Sequence, residues 1–211
     1  MKKINLALIA LSLAVLTGSC RKDAIKNLDG NEGIVYITEH DNAANFSNYQ
    51  RFRIADSVTV IKDGELTKRE KTNYDSDLSE AIKQVLLQRG FTRESDQSKT
   101  PDIGINITRI TTDYTGVVSY NDYWGGYGDY WDPFYWGYGG YDYYFPYTFD
   151  IYTFREGALS IDMIDLKNPN TATNKLNTVW TGLARGTGIF NNANVNEVVQ
   201  SLFGQSSYIK K

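Results

Sequence analysis

One cysteine, Cys20, in 211 residues decides how this chain can hold itself together. No internal disulfide can form, so the fold must rest on a packed core. The supply of apolar side chains suits that, at 41% of the chain, although part of it is tyrosine concentrated in one place. The cysteine also closes a distinctive start, MKKINLALIALSLAVLTGSC. Lys2 and Lys3 precede Ile4 to Leu16, a largely apolar run of thirteen residues, and small residues follow. A membrane span needs about 20 apolar residues, so the run is too short to be one. Basic start, short apolar run and small residues together have the layout of a secretory signal.

This signal resembles that of bacterial lipoproteins. Thr17 stands where an aliphatic residue is usual, Leu16 lies one place further back, and Gly18 and Ser19 supply the small residues. The resemblance implies cleavage before Cys20, which would then carry a diacylglyceryl thioether and an acylated amine. Several acyl chains, at about 0.8 kcal/mol per buried methylene, make a stable membrane anchor. Ordinary cleavage leaving a free thiol, and an uncleaved anchor, are the competing readings. The expected organisation is a signal over 1–19, a lipidated cysteine and polar tether over 20–33, and one domain over 34–211.

Removing the first nineteen residues leaves 192, a length that suits a single domain. The net charge of −3 becomes −5 once Lys2 and Lys3 are gone, with 20 basic against 25 acidic residues. Such a balance gives no electrostatic reason to bind nucleic acid or anionic head groups.

Along the domain, Ile34 to Ile37 reads as a first short strand. Phe46 to Ile61 reads as one or two more, interrupted at Ala55-Asp56-Ser57. In Asp77 to Arg89, Leu78, Ala81, Ile82, Val85 and Leu86 make one apolar stripe at helical spacing. Asp77 and Glu80 offer a capping box, Gly90 a left-handed stop and Phe91 a contact back onto the last turn. Asp102 to Thr112 alternates, with Ile103, Ile105 and Ile107 on one face and Asn106 and Thr108 on the other, as in a half-buried strand. Thr148 to Phe154, Ala158 to Leu166 and Thr178 to Thr187 predict three further strands. Val195, Val198, Val199, Leu202 and Phe203 predict a closing helix between Asn194 and Gly204. Strands and helices mix without a regular βαβ repeat. The fold class is therefore α+β: a single mixed or antiparallel sheet packed by two amphipathic helices.

Residues 120–147 fit neither period. Fifteen of these 28 residues are aromatic, six are glycine, and the only charges are four aspartates. Aromatic rings on a glycine-rich backbone suit contact with a partner protein or stacking on sugar rings. Tyr123, Trp124, Tyr127, Tyr130, Trp131, Tyr135, Trp136 and Tyr138 are the candidate contact residues. The competing reading is a low-complexity loop partly collapsed on the surface, with no specific ligand. In the first reading the segment is separable, and its deletion leaves a folded domain.

Catalytic patterns are missing. The single histidine, His40, lies in a polar stretch expected to be solvated, and there is no GxSxG elbow for it to serve. A metal centre normally needs several His or Cys ligands, and none is expected here. Asp122, Asp129, Asp132 and Asp142 match no calcium loop spacing. Asp162 or Asp165 with Asp150 or Glu156 is the one carboxylate pairing that acid–base chemistry might use. Gly125-Gly126-Tyr127-Gly128 lacks the Lys-Ser/Thr of a phosphate loop. No cofactor and no enzymatic activity are expected.

Several short motifs, in order, are similar to those of the envelope lipoproteins carrying domain of unknown function 4136, in the form found in Bacteroidetes-type members. They are Tyr49-Gln50-Arg51-Phe52, Leu86 to Phe91 as L-x-x-x-G-F, and Pro101-Asp102-Ile103. The aromatic stretch, Glu156 to Asp165 as E-G-x-L-x-I-D-x-x-D, Val179 to Gly186 as V-W-x-G-x-A-x-G, and a final helix running into Gln205 to Tyr208 complete them. The resemblance spans about residues 46 to 210. Residues 168–177 are longer than the tight hairpin common there. What it implies is fold and a place in the cell envelope, the outer membrane foremost; it brings no catalytic residues. Trp180 and Phe154 are expected to pack in the core. Gly157 is expected to make a turn or bulge, and Gly182 and Gly186 to admit a close neighbour.

Overall fold

The structure, a computed structural model, describes residues 33–62, 65–111, 118–119, 133–148, 150–151 and 157–211. Its strands are β1 (Val35–His40), β2 (Arg51–Ile54), β3 (Val58–Lys62), β4 (Glu65–Glu70), β5 (Thr92–Arg93), β6 (Ile103–Ile110) and β7 (Val118–Ser119). They continue with β8 (Asp142–Tyr144), β9 (Asp150–Ile151), β10 (Ala158–Asp165) and β11 (Lys175–Arg185); the helices are α1 (Asn73–Gln88) and α2 (Val195–Gly204). Among the described residues nine strands form one mixed, open sheet whose main path is β1-β11-β10-β6-β2-β5. The two helices make the class α+β, as the sequence predicts.

The break at Ala55-Asp56-Ser57 has a geometric meaning. β2 and β3 both run parallel to the same edge of β6, Phe52 opposite Ile103 and Thr59 opposite Thr108. Seven residues on one side therefore span five on the other, so the break is a two-residue bulge between two halves of one edge. A parallel return needs a crossover. α1 supplies it, carrying the chain from β4 to β5 and β6.

The apolar stripe of α1 is buried as its spacing predicts, but the helix begins a turn earlier than Asp77. Thr72 is the cap. Its hydroxyl accepts from Asp75 N, and Asp75 Oδ2 accepts from Thr72 N at 2.8 Å. Asp75 stands three residues after the Thr72 cap, where a capping box needs its acid, and β6 adds a cation: Arg109 Nε lies 2.9 Å from Asp75 Oδ1, and Arg109 also pairs with Glu70. Glu80 pairs with Lys83 at the surface instead. At the other end Gly90, at φ +92°, and Phe91 close the helix as predicted, Phe91 N donating to Leu86 O at 3.1 Å.

Gly204, expected to stop α2, is instead its last helical residue, and Gln205 follows at φ −70°. The stop comes from α1. The Arg89 guanidinium donates to Phe203 O in the last turn and to Ser206 O and Ile209 O just beyond it, at 2.6, 2.6 and 2.9 Å, placing a cation at the negative end of the helix. Trp180 is fully buried beneath this end, its indole donating to Ser206 Oγ at 2.8 Å and its ring 4.9 Å from Phe203. A Cβ on Gly182 would meet that indole at 2.5 Å, and one on Gly186 would strike Gly33 O at 2.3 Å. Both glycines therefore admit a close neighbour as expected. Gly157 takes φ +130° before β10.

Three expectations need correction or bounding. His40 is half-buried and stacks on Tyr208 at 4.1 Å, rather than standing in solvent. Of the strand expected over Thr148 to Phe154, Asp150–Ile151 forms β9, paired with β7 in a separate two-stranded ribbon. Residues 152–156, with Phe154 and Glu156, lie outside the described residues. The longer 168–177 connection closes through an Asn170–Lys175 bridge, with Asn174 at φ +53°.

The cap at Asp75 gives a direct comparison. Asp75→Ala removes a cap and leaves Arg109 partly unanswered, and should lower stability by about 2–4 kcal/mol in urea unfolding. Glu80→Ala should leave the urea midpoint where it is. A shift for Glu80 with none for Asp75 would restore the later helix start.

Candidate functional site

β6, β10 and β11 lie side by side at the centre of the sheet. Ile103, Ile105 and Ile107, with Leu159, Ile161 and Met163, pack toward the helices in the main core. Alternation then places Asn106, Thr108, Ser160, Asp162 and Thr181 on the opposite face. The sequence predicts that face to be wet. It is buried: Asn106 is 2% exposed, Asp162 6%, and Ser160 and Thr181 not at all.

The end of the aromatic segment helps to cover it. Pro133–Trp136 forms a short 3-10 helix, and β8 joins β11 in parallel register. Trp136 lies over Gly104, where a Cβ would come within 2.9 Å of its ring, and its indole donates to Asn106 Oδ1 at 3.2 Å. Around it Ala55, Ile164, Leu166 and Leu176 form a second apolar cluster. Tyr138 OH donates to Leu166 O at 2.8 Å, and Tyr135 OH accepts from Asp56 N at 3.1 Å. Tyr147 OH lies 2.9 Å from Thr181 Oγ1, which donates to Asp162 Oδ1 at 2.6 Å. Thr181 has one hydrogen to give and gives it to the carboxylate, so Tyr147 is the donor to Thr181. The chain of bonds runs from phenol to hydroxyl to buried carboxylate.

The expected contact residues therefore divide. Cys20, Tyr123, Trp124, Tyr127, Tyr130 and Trp131 lie outside the described residues. Trp136 is a packing residue, 5% exposed, and not a surface contact; this corrects its assignment. Tyr135 and Tyr138 are half-buried with their hydroxyls engaged. The segment instead exposes Phe134, at 71%, and Tyr144, at 45%, with Lys175 Nζ 5.0 Å from the Tyr144 ring centroid. Sequence reading missed both. Asp142-Tyr143-Tyr144 run exposed, half-buried, exposed in the structure, but three residues are too few for the sequence to signal it.

Asp162 and Asp165 do not pair with each other, and the Glu156 side chain lies outside the described residues. Asp162 faces the aromatic cover and accepts from Thr181 and Ser160. Asp165 faces the other way and accepts from Tyr49 OH at 2.8 Å and from Lys167 N and Asn168 N, both at 2.9 Å. Asp142 is exposed on β8, while the Asp150 side chain and Asp122, Asp129 and Asp132 are outside the described residues. Among the described residues no three His, Cys, Asp or Glu side chains gather as a metal site would require.

Burial, followed by the Asp162 charge, pushes the Tyr147 phenol well above its ordinary range. Burial and then Asp165 do the same to Tyr49. A raised phenol contributes stability that is complete below the unfolded value, about 10, and is lost as pH rises above it. Absorbance at 295 nm should therefore show a late group of tyrosines ionising together with loss of the far-ultraviolet circular dichroism. Full ionisation near pH 10 with the fold intact would contradict this placement.

No described helix is long and apolar enough to cross a membrane. No curated protein is similar to this chain at a significant level. A crystal structure of a DUF4136 family protein from Bacteroides thetaiotaomicron VPI-5482 is 26% identical, with a TM-score of 0.70 over 84% of this chain and 98% of that one. Two structures of the PelC dodecamer from Paraburkholderia phytofirmans are 10% and 9% identical at a TM-score of 0.39. They are covered over 97% and 98% of their lengths and this chain over 84%, a likeness too low to carry an argument. Residues 37–206 match the family described as Domain of unknown function (DUF4136), and the chain belongs to that family.

Proposed function

We propose that the chain is a lipid-anchored, non-catalytic binding module of the cell envelope, held at the outer membrane by lipidated Cys20. Its contact surface is the aromatic segment. The observation that supports this most is the division of labour within residues 133–148. Trp136, Tyr138 and Tyr147 pin the segment to the sheet, and Phe134 and Tyr144 stand out from it. Exposed aromatic rings on a fixed backbone lose little freedom on binding. The partner is an envelope protein, with a glycan as the alternative. Binding is favoured over chemistry because Asp162 and Asp165 each answer neutral donors on opposite faces, where a hydrolase would bring two carboxyls together.

A photo-crosslinking residue placed at Phe134 or Tyr144 in intact cells should capture one common partner. The same probe at Gln84, on the exposed side of α1, should not. Adducts that are absent at the first two positions, or identical at all three, would rule the surface out. Cys20→Ser should abolish acyl labelling and release the protein from the membrane fraction; unchanged membrane association would remove the anchor from the proposal.

A further inference from the structure

Beside the aromatic segment, a groove of about 450 Å³ lies between α1 and β2, with Tyr135 at its rim. It is lined by four cations, Arg53, Lys71, Lys83 and Arg93, and three acids, Asp56, Glu80 and Glu94. Two of the acids are held by cations and the third by a neutral hydroxyl. Glu80 holds Lys83 and accepts from Gln84 Nε2 at 2.8 Å. Glu94 holds Arg51 at 2.8 Å and accepts from Asp96 N at 2.9 Å. Asp56 accepts from Ser57 Oγ at 3.2 Å.

The cations are not balanced in the same way. Arg53 Nη2 donates to Asp96 O at 2.6 Å and Lys99 O at 2.5 Å, and its Nε reaches Glu94 O at 3.5 Å. Carbonyls fix the guanidinium in place without neutralising it. Its Nη1 makes no hydrogen bond among the described residues. Lys71 and Arg93 are exposed and form no ion pair among the described residues. Among the described residues Lys83 alone of the four is in an ion pair, which leaves Arg53, Lys71 and Arg93 against the single carboxylate of Asp56. The whole chain is acidic, at −3, so this local excess of positive charge does not follow from composition.

We infer that this groove binds an oxyanion-bearing ligand, for which a phosphate ester is the best chemical match. The Arg93 guanidinium presents a fork of donors that fits a tetrahedral oxyanion, Arg53 adds the hydrogens of its Nη1, and Lys71 adds a point charge. The volume falls in the range of small-molecule sites, about 300–1,000 Å³. Ser76 and Ser79 donate to their own helix carbonyls, which leaves their oxygens to accept from hydroxyls on the ligand. Tyr135 offers a ring to the ligand body. The site is separate from the exposed Phe134 and Tyr144, so it can stand or fall independently of the partner surface.

The test is calorimetric titration of the full chain, in neutral detergent micelles, with glycerol 3-phosphate, and with glycerol as the uncharged control. Saturable binding to the phosphate alone is expected. It should weaken at least tenfold in the double variant Lys71→Gln, Arg93→Gln and stay unchanged in Lys210→Gln. Neither substituted side chain in the double variant joins a hydrogen bond among the described residues, and a melting curve checks that it remains folded. Micelles doped with phosphatidylglycerol, set against phosphatidylcholine, then separate the sources. Displacement by the first alone marks a lipid-borne phosphate, and no displacement by either marks a soluble ester. Absence of saturable binding, or binding unchanged in the double variant, overturns the inference.

Discussion

The constraint on which the rest of the structure depends is that β6, β10 and β11 are buried on both faces. A strand covered on one face needs one apolar row, and a strand covered on both needs two different covers. Here the helices take the isoleucine row of β6 and its partners on β10. Residues 133–148 help to take the other row, which is built from Asn106, Thr108, Ser160, Asp162 and Thr181. Burying polar groups is unfavourable unless each finds a partner, at a cost of about 1–3 kcal/mol apiece when it does not. The Trp136 indole, the Thr181 hydroxyl and the Tyr147 phenol are such partners, so the same rings that exclude water also supply hydrogen bonds. Tyrosine and tryptophan are suited to both tasks, since each joins a large apolar ring to one polar atom.

The helix side is built by a different logic. α1 and α2 are joined end to end through Arg89, whose guanidinium donates to Phe203 O in the last turn of α2 and to Ser206 O just beyond it, while its own helix closes at Gly90. Trp180 reaches up from β11 into the same junction, and Gly182 leaves room for its indole. At the opposite end of α1, Asp75 ties the first turn to Arg109 on β6. Charged and aromatic residues thus fix the ends of helices whose middles are held by Leu78, Ile82, Val198 and Leu202.

What could be read from the sequence is what is local. The stripe from Leu78 to Leu86, the Gly90 stop and the Ile103 alternation are decided within one or two turns, and they stand as read. The start of α1 is a local capping box, Thr72 with Asp75, that a reading opened at Asp77 passes over; Arg109, 34 residues beyond Asp75, adds a cation that no local window contains. Asn106 reads as part of a wet face because its cover, Trp136, comes from a segment with no period of its own. Short pieces such as β5 and β8 carry too few residues for alternation to show. In the site, aromatic identity alone does not separate a ring facing the sheet, such as Trp136, from one facing water, such as Phe134.

Taken together, the aromatic segment has two roles, and the structural one is primary: without Trp136 the polar row of the sheet loses part of its cover. Equilibrium urea unfolding of Trp136→Ala tests this most directly. A fully packed tryptophan predicts a loss of about 3–5 kcal/mol. A midpoint indistinguishable from that of the parent protein would mean that the residue is a surface contact after all, and that the sheet does not depend on this cover.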